Sequence, residues 1–288
     1  MAVVIWAVVP RSRTAHRFTN RSETQTQTQT ARVTPEPSAA APEPTPQSSS
    51  QASPAVSPSA AEPSGSPPPA RAELALIIDD CGQWPDTERA LVALPIPITM
   101  SVMPHVRYTS QIAQIAQDAG KGVMLHLPME PLSHKRSGPG EIETTMTDDQ
   151  IAAQMKDDIA QVPLAAGVNN HEGSAASADP RVMHVVMQAV KDRGWFFVDS
   201  RTNKATVAAS IAQEDGVPNA SRNVFLDNES NAAYSESMLR EAAAVALEKG
   251  SAIAIGHPKP TTLEAIRALY PELQAQGIRF VLVSELVK

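Results

Sequence analysis

From residue 74 onward, short runs of apolar and often β-branched residues alternate with longer stretches whose apolar positions recur at helical spacing. The runs predict strands at Leu74–Ile78, Ile98–Met103, Gly122–Leu127, Gly167–Asn169, Trp195–Val198, Val224–Leu226, Ala252–Ile255 and Arg279–Val283. Most are continuous rather than alternating, as expected of parallel strands covered on both faces. Between them, Thr147-Asp148-Asp149-Gln150 is a capping box that opens a helix reaching about Val162. Asp179-Pro180 supplies an N-cap and a proline at the first helical position, for a helix that runs to Gly194. Further helices fit Pro85–Leu94, Tyr108–Ala119, Ala205–Asp215, Ser230–Lys249 closed by Gly250, and Thr261–Gln276 closed by Gly277.

Regular strand–helix alternation implies an α/β fold with a parallel sheet. Seven or eight such units in about 217 residues favour a distorted or incompletely closed (β/α) barrel over an open doubly wound sheet. No glycine-rich phosphate loop follows any predicted strand, which counts against a nucleotide-binding sheet.

The chain before residue 72 reads differently. From Val33 to Ala70 it is almost wholly Pro, Ala, Ser, Glu, Thr and Gln, with 11 prolines and only Val33 and Val56 as large apolar residues. Such a stretch buries too little apolar surface to offset its chain entropy, so residues 33–71 are expected to form a disordered, proline-rich linker. Residues 1–32 precede it. Their apolar run Ala2–Val9 is far shorter than the ~20 residues of a membrane helix. It reads as the tail of a signal peptide or anchor whose beginning is missing, yet no basic residues precede it as they would in a secretory signal. An apolar N-terminus joined by a proline-rich tether to a globular domain suits an exported protein of the periplasm or cell envelope, tethered to the membrane through its N-terminus. The net charge of −7 argues against a nucleic-acid surface, which needs a basic face. The single cysteine, Cys81, permits no internal disulfide and is neutral on compartment.

Candidate chemistry lies at the strand ends. The residues at or just past the C-terminal end of the predicted strands are Asp79 and Asp80, His126, Asn170 and His171, Asp199 and Arg201, Asp227 and Asn228, and His257. In a parallel barrel these ends converge on one face, where active sites are built. Each residue also has a structural reading: an acid pair is often a helix cap, His126 fits a core histidine, His171 a surface loop and His257 a turn. Their joint placement favours chemistry. His16, His105, His134 and His184 do not share it and read as non-functional. Two imidazoles and a carboxylate suit a hydrolytic Zn²⁺ with a position left for water. A base and an acid complete such a site; Asp79 suits the first and His257 the second. Asp199 and Arg201 are expected to orient that histidine or hold the base.

The blocks IIDDCG, LHLPMEP, GVNNHEGS, FFVDSRT, VFLDN and AIGHPKPTTLEA, in this order, resemble the divergent polysaccharide deacetylases, a branch of the carbohydrate esterase and deacetylase superfamily of bacterial envelopes. The resemblance spans nearly all of residues 74–288. It implies a distorted (β/α) barrel, an exported location, a carbohydrate substrate and a divalent metal, Zn²⁺ foremost. By resemblance, Asp79 is the catalytic base, Asp80 the metal-binding aspartate, His126 the first metal histidine and His257 the acid. The pattern departs in two places. Ordinary polysaccharide deacetylases carry a second metal histidine four residues after the first, where this chain has Glu130; His171 is one replacement and Glu130 its rival. The Arg-Pro-Tyr motif is absent, with Asn169-Asn170-His171-Glu172-Gly173-Ser174 in its place.

Three readings follow. The first is a metal-dependent hydrolase that removes N- or O-acetyl groups from an envelope glycan such as peptidoglycan, through attack by metal-activated water. The alternative is a non-catalytic envelope protein that binds a glycan or protein partner through the same cleft. The third is a barrel hydrolase for another amide or a phosphoester. Aromatic residues make up only 4% of the chain, which disfavours a long sugar-stacking groove and leaves Trp84, just past the aspartates, as the one obvious platform.

Overall fold

The computed structural model describes residues 70–288. Ala2–Val9, His16 and the proline-rich segment up to residue 69 lie outside them. The described residues form nine strands and seven α-helices: β1 (Ala72–Cys81), α1 (Pro85–Val92), β2 (Thr99–Val102), α2 (Thr109–Asp118), β3 (Gly122–Met129), α3 (Asp148–Gln161), β4 (Gly167–Glu172), α4 (Pro180–Asp192), β5 (Phe196–Asp199), α5 (Ala208–Glu214), β6 (Asn219–Ser221), β7 (Val224–Phe225), α6 (Ala232–Lys249), β8 (Ser251–Gly256), α7 (Pro260–Ala275) and β9 (Ile278–Val281). None of these helices is long and apolar enough to cross a membrane.

All strand pairs are parallel. The order β6-β5-β4-β3-β2-β1-β8-β7 makes an eight-stranded curl that stays open between β6 and β7. The distorted, incompletely closed barrel is therefore what forms. On one edge of β1, β9 pairs with Ala72–Ala75 and β2 with Ile77–Cys81, because β8 occupies the other edge.

The capping signals hold locally. Thr147 and Gln150 exchange both capping-box bonds, and Asp179 accepts from the Val182 amide. One strand, β6, was not predicted by the apolar runs: Asn219-Ala220-Ser221 is half-buried throughout and carries no large apolar residue. Three strands also run well past their apolar runs, among them β4, which continues through Asn170 and His171 to Glu172. β1 continues through Asp79 and Asp80 to Cys81, and β3 through Pro128 to Met129. Pro128 is tolerated there because β2 stops pairing at Leu125. Past that point the same edge of β3 meets only the Ile142 loop, whose amide reaches the Pro128 carbonyl, so the missing proline N–H breaks no ladder bond.

Alternation along the strands sorts residues between two cores. Leu74, Leu76 and Ile78 face the helices, while Ala75 and Ile77 join Met124, Phe196, Val198, Ile253 and Ile255 inside the curl. Gly167 is required inside: a Cβ there would lie 2.5 Å from the Phe196 ring. Continuing the inward positions upward gives Asp79 after Ile77, His126 after Met124, Ser200 after Val198 and His257 after Ile255. The interior is apolar below and polar at its mouth.

A buried carboxylate also ties the loop after β2 to α3. Asp158 is fully buried, 2.8 Å from His105 Nε2, and accepts from Gln154. Burial pushes its carboxyl from 3.8 up to about 7, against those hydrogen bonds. Between these values the folded chain holds a proton that the unfolded chain has released, so the contribution of this group to stability is present at low pH and lost as pH rises through about 7. Asp158→Asn should therefore show a smaller fall in Tm between pH 5 and pH 8 than the parent protein. Equal falls in thermal melts of the two proteins would refute this.

Candidate metal centre

The end of β1 departs from regular strand geometry. Its register with β2 shifts between Ile78 and Cys81, and Asp80 takes a left-handed backbone at φ 57°. In an unbroken strand, neighbouring side chains point to opposite faces. Here both carboxylates reach the same imidazole nitrogen, with Asp80 Oδ1 at 3.2 Å and Asp79 Oδ2 at 3.7 Å from His126 Nε2. The loop that follows is held by Glu88, whose fully buried Oε1 accepts the amides of Gly82, Gln83 and Trp84 at 2.9, 3.1 and 2.9 Å.

His126 on β3 stands opposite Asn169 on β4, and Pro128 stands opposite His171. Asn169 organises this layer. Its Nδ2 donates to Asp79 Oδ1 at 2.8 Å and to Ser200 Oγ at 3.2 Å. Its Oδ1 accepts from Ser101 Oγ and, at 2.9 Å, from His126 Nδ1. That network assigns the proton of a neutral His126 to Nδ1 and leaves the Nε2 lone pair facing Asp80.

Asp80 Oδ1, His126 Nε2 and His171 Nδ1 then form a triangle with sides of 3.2, 3.1 and 2.9 Å. Ligand atoms ~2.0–2.1 Å from a tetrahedral Zn²⁺ would stand only slightly further apart, at roughly 3.3 Å. Although both imidazole nitrogens are near, no N–H points at Asp80 Oδ1 in hydrogen-bonding geometry, and that oxygen is buried without a partner. A buried carboxylate oxygen among lone pairs is what a small divalent cation satisfies, so the donor set fits one. Without the cation the site answers with protons. Burial alone would lift Asp80, but His126 and His171 outweigh it and hold its pKa low. Burial alone would lower His126, but Asp79 and Asp80 outweigh it and raise its pKa. Asp79, only 3% exposed, is raised by burial against the nearby histidines and Asn169.

His257 follows β8 and presents Nε2 3.7 Å from Asp80 Oδ2. Its orientation comes from Asp227, which accepts from His257 Nδ1 at 2.9 Å and from its backbone amide at 2.8 Å, and is itself held by Thr262 Oγ1 at 2.6 Å. Burial opposes protonation of His257, and the hydrogen bond to Asp227 with the charge of Asp80 outweighs it, so its pKa is raised.

The orienting role expected of Asp199 and Arg201 is thus filled by other residues. Asp199 spends its oxygens on the Arg201 amide and Thr206 Oγ1, and the exposed Arg201 lines a separate pocket. Glu130 does not join the triangle either. Its oxygens are taken by the Thr144 amide and hydroxyl and by His134, so of the two rival residues the structure gathers His171. Asn169 and Glu88 were not singled out for the site, and Asp227, placed among the strand ends, was given no role in it. Asp227 shares the strand-end position of its partners, whereas Asn169 and Glu88 carry no signal in the sequence beyond being polar within apolar surroundings. A second group able to hold a cation, His105, Asp157 and Asp158, lies at the loop after β2; there Asp158 Oδ1 meets His105 and Gln154, and Oδ2 is buried without a partner.

Beside Asp80 and His257 a groove of about 420 Å³ is walled by Trp84, Thr87, Pro258, Lys259 and Pro260. Trp84 is 48% exposed at its rim. Residues 76–287 match the divergent polysaccharide deacetylase family. The chain belongs to that family. Among its relatives, an uncharacterized protein of Haemophilus influenzae (strain Rd) is 36% identical over 199 residues, covering 69% of this chain and 71% of that one. The uncharacterized protein YibQ of Escherichia coli K12 is 35% identical over 204 residues, covering 71% and 64%. In fold, the chain is similar to an uncharacterized protein from Agrobacterium tumefaciens C58, with a TM-score of 0.73 at 22% identity over 77% of this chain and 92% of that one.

The Glu88 anchor gives a direct check on how the β1 end is held. Glu88→Ala strands three buried or half-buried amides, at a cost on the order of 3 kcal/mol, and should lower Tm by ~5–10 °C. A Tm unchanged in calorimetry would mean that Glu88 does not secure this loop.

Proposed function

We propose that this domain is a metal-dependent deacetylase acting on an acetylated carbohydrate of the cell envelope. Asp80, His126 and His171 would hold a divalent cation, Zn²⁺ foremost. One observation carries the reading: the buried, unpartnered Asp80 Oδ1 faces two imidazole nitrogens within 3.2 Å, between a shielded carboxylate and an oriented imidazole. Family membership supports the carbohydrate, and Trp84 offers a ring face for a sugar. Export, with the segment before residue 72 as a tether, is part of the same proposal.

Bound there, the cation would lower the pKa of a water to about 7 and polarise the acetyl carbonyl. The chain supplies the proton transfers. Asp79 takes the proton from the attacking water; Asn169 occupies its Oδ1 and leaves Oδ2 for the site. Burial raises the Asp79 pKa, which brings the base closer to working pH. His257, whose pKa is raised by its pairing with Asp227, gives its Nε2 proton to the leaving nitrogen as the C–N bond breaks. Acetate and a free amine result, and exchange with solvent restores both groups.

Metal analysis of the purified protein should find about one divalent cation per chain, lost in His171→Ala. Acetate release from N-acetylated oligosaccharides should fall ~10²–10⁴-fold in Asp79→Asn while the cation stays bound. Absence of a cation above background from the parent protein would overturn the reading. A bound cation with no acetate release would move the site to a binding role.

A further inference from the structure

One pocket next to the candidate centre plays no part in the chemistry above. It has a volume of about 310 Å³ and is lined by Arg201, Asn203, Lys204, Arg222 and Asn223. Three of its five lining residues are cations and none is acidic, in a chain whose net charge is −7. Arg201, Lys204 and Arg222 form no ion pair with any carboxylate among the described residues. The acids whose charge reaches Arg222 are Asp79 and Asp199; both are buried, Asp79 with one oxygen held by Asn169 and Asp199 with its oxygens engaged by the Arg201 amide and Thr206. The lining of the pocket itself is wholly neutral or cationic.

The pocket is also built. Arg222 donates from Nε to the Ser200 carbonyl at 2.8 Å and from Nη2 to the Arg201 carbonyl at 3.2 Å, and its guanidinium stacks on the Phe225 ring at 5.0 Å. Arg201 sits in a left-handed backbone at φ 51°, with its amide held by Asp199 and its carbonyl by Arg222. For a long side chain that conformation is unfavourable and persists only where surroundings impose it. Here they impose it at the rim of a basic pocket.

Two short paths join the pocket to the centre. Ser200, whose carbonyl binds Arg222, accepts through Oγ from Asn169, which in turn donates to Asp79. Phe225, under the Arg222 guanidinium, lies edge-on to His257 with ring centroids 5.3 Å apart. Arg222 is thus linked to the acid through Phe225 alone and to the base through Ser200 and Asn169.

We propose that this pocket binds an anionic substituent of the glycan, a carboxylate or a phosphate, so that the substrate is a negatively charged acetylated glycan. The inference rests on the deacetylase reading and adds the substrate class. Guanidinium and ammonium groups recognise either anion, the guanidinium in bidentate geometry. Lys204 and Arg201 are exposed, so they are free to meet a substituent that projects from a sugar held at the centre.

Three matched N-acetylated oligosaccharides test it: one neutral, one bearing carboxylates and one bearing phosphates. Acetate release gives kcat/KM, and calorimetric titration gives affinity independently of turnover. One charged glycan should exceed the neutral one about tenfold in both, ~1.4 kcal/mol, and which one does so identifies the anion. Lys204→Glu, a surface change, should abolish the preference, and Arg201→Gln should weaken it. Equal handling of neutral and charged glycans by the parent, or a preference untouched by Lys204→Glu, would overturn the proposal. Charge-selective binding lost in Lys204→Glu without acetate release from any glycan would sink the deacetylase reading alone. No binding and no release would sink both.

Discussion

The site depends on a single backbone irregularity, the left-handed turn of Asp80 within the last residues of β1. Two adjacent residues of a strand cannot ordinarily serve one point in space, because the pleat sends them to opposite faces. The register shift beside Cys81 removes that restriction and lets Asp79 and Asp80 flank the same nitrogen of His126. Aspartate tolerates positive φ better than most residues, so the cost is modest. The buried Glu88 carboxylate, with three amides gathered on one oxygen, is well placed to absorb it. A stronger constraint on neighbouring sequence follows: the residue after Cys81 must itself turn sharply, and Gly82, at φ 105° with Val106 only 2.8 Å from where a Cβ would stand, is the residue that allows it.

Around this turn, electrostatics and hydrogen bonding divide the work. Asn169 donates to Asp79 and accepts from His126, so one neutral amide fixes the free oxygen of the first and the lone pair of the second. Asp227 does the same for His257. These second contacts matter because burial opposes every charge at the mouth of the curl, and only specific partners reverse it. Asp80 and Asp227 are held low and His126 and His257 raised against burial. Asp79 alone is left on the side that burial favours. Two carboxylates next to each other in sequence thereby acquire different characters, one held charged and one inclined to keep a proton, through the number of imidazoles each meets.

Much of this was legible in the sequence, for identifiable reasons. Apolar runs such as Leu74–Ile78 and Ala252–Ile255 end where the polar residues of the site begin, so the strand ends located Asp79, Asp80 and His257 without any structure. Helix ends were legible where a cap has its own chemistry, as at Thr147 and Asp179. What escaped lacks such a signature. β6 consists of Asn219-Ala220-Ser221, which pairs by backbone alone and buries nothing large. Asn169 reads as part of a short strand, and only register shows that it lies opposite His126. Asp199 and Asp227 occupy equivalent strand ends, and sequence offers no means of telling which one faces His257. The difference is set by the crossing of β7 to β8 on one side of the open curl and of β5 to β6 on the other.

That opening gives the architecture a last consequence. A closed barrel would bring β6 against β7 and bury the segment between them. With the curl open there, Arg222 and Asn223 stay at the surface between the two edges, yet Arg222 still reaches Ser200 on one side and Phe225 on the other. The gap in the sheet therefore lies where a cationic pocket can stand beside the centre without being buried by it. An interior built from apolar side chains supports the polar mouth from below, and the open edge exposes part of that mouth to solvent. Incomplete closure, which would be a defect in a fold held together by its ladder alone, here leaves an exposed cationic pocket beside a largely buried cluster of carboxylates and imidazoles.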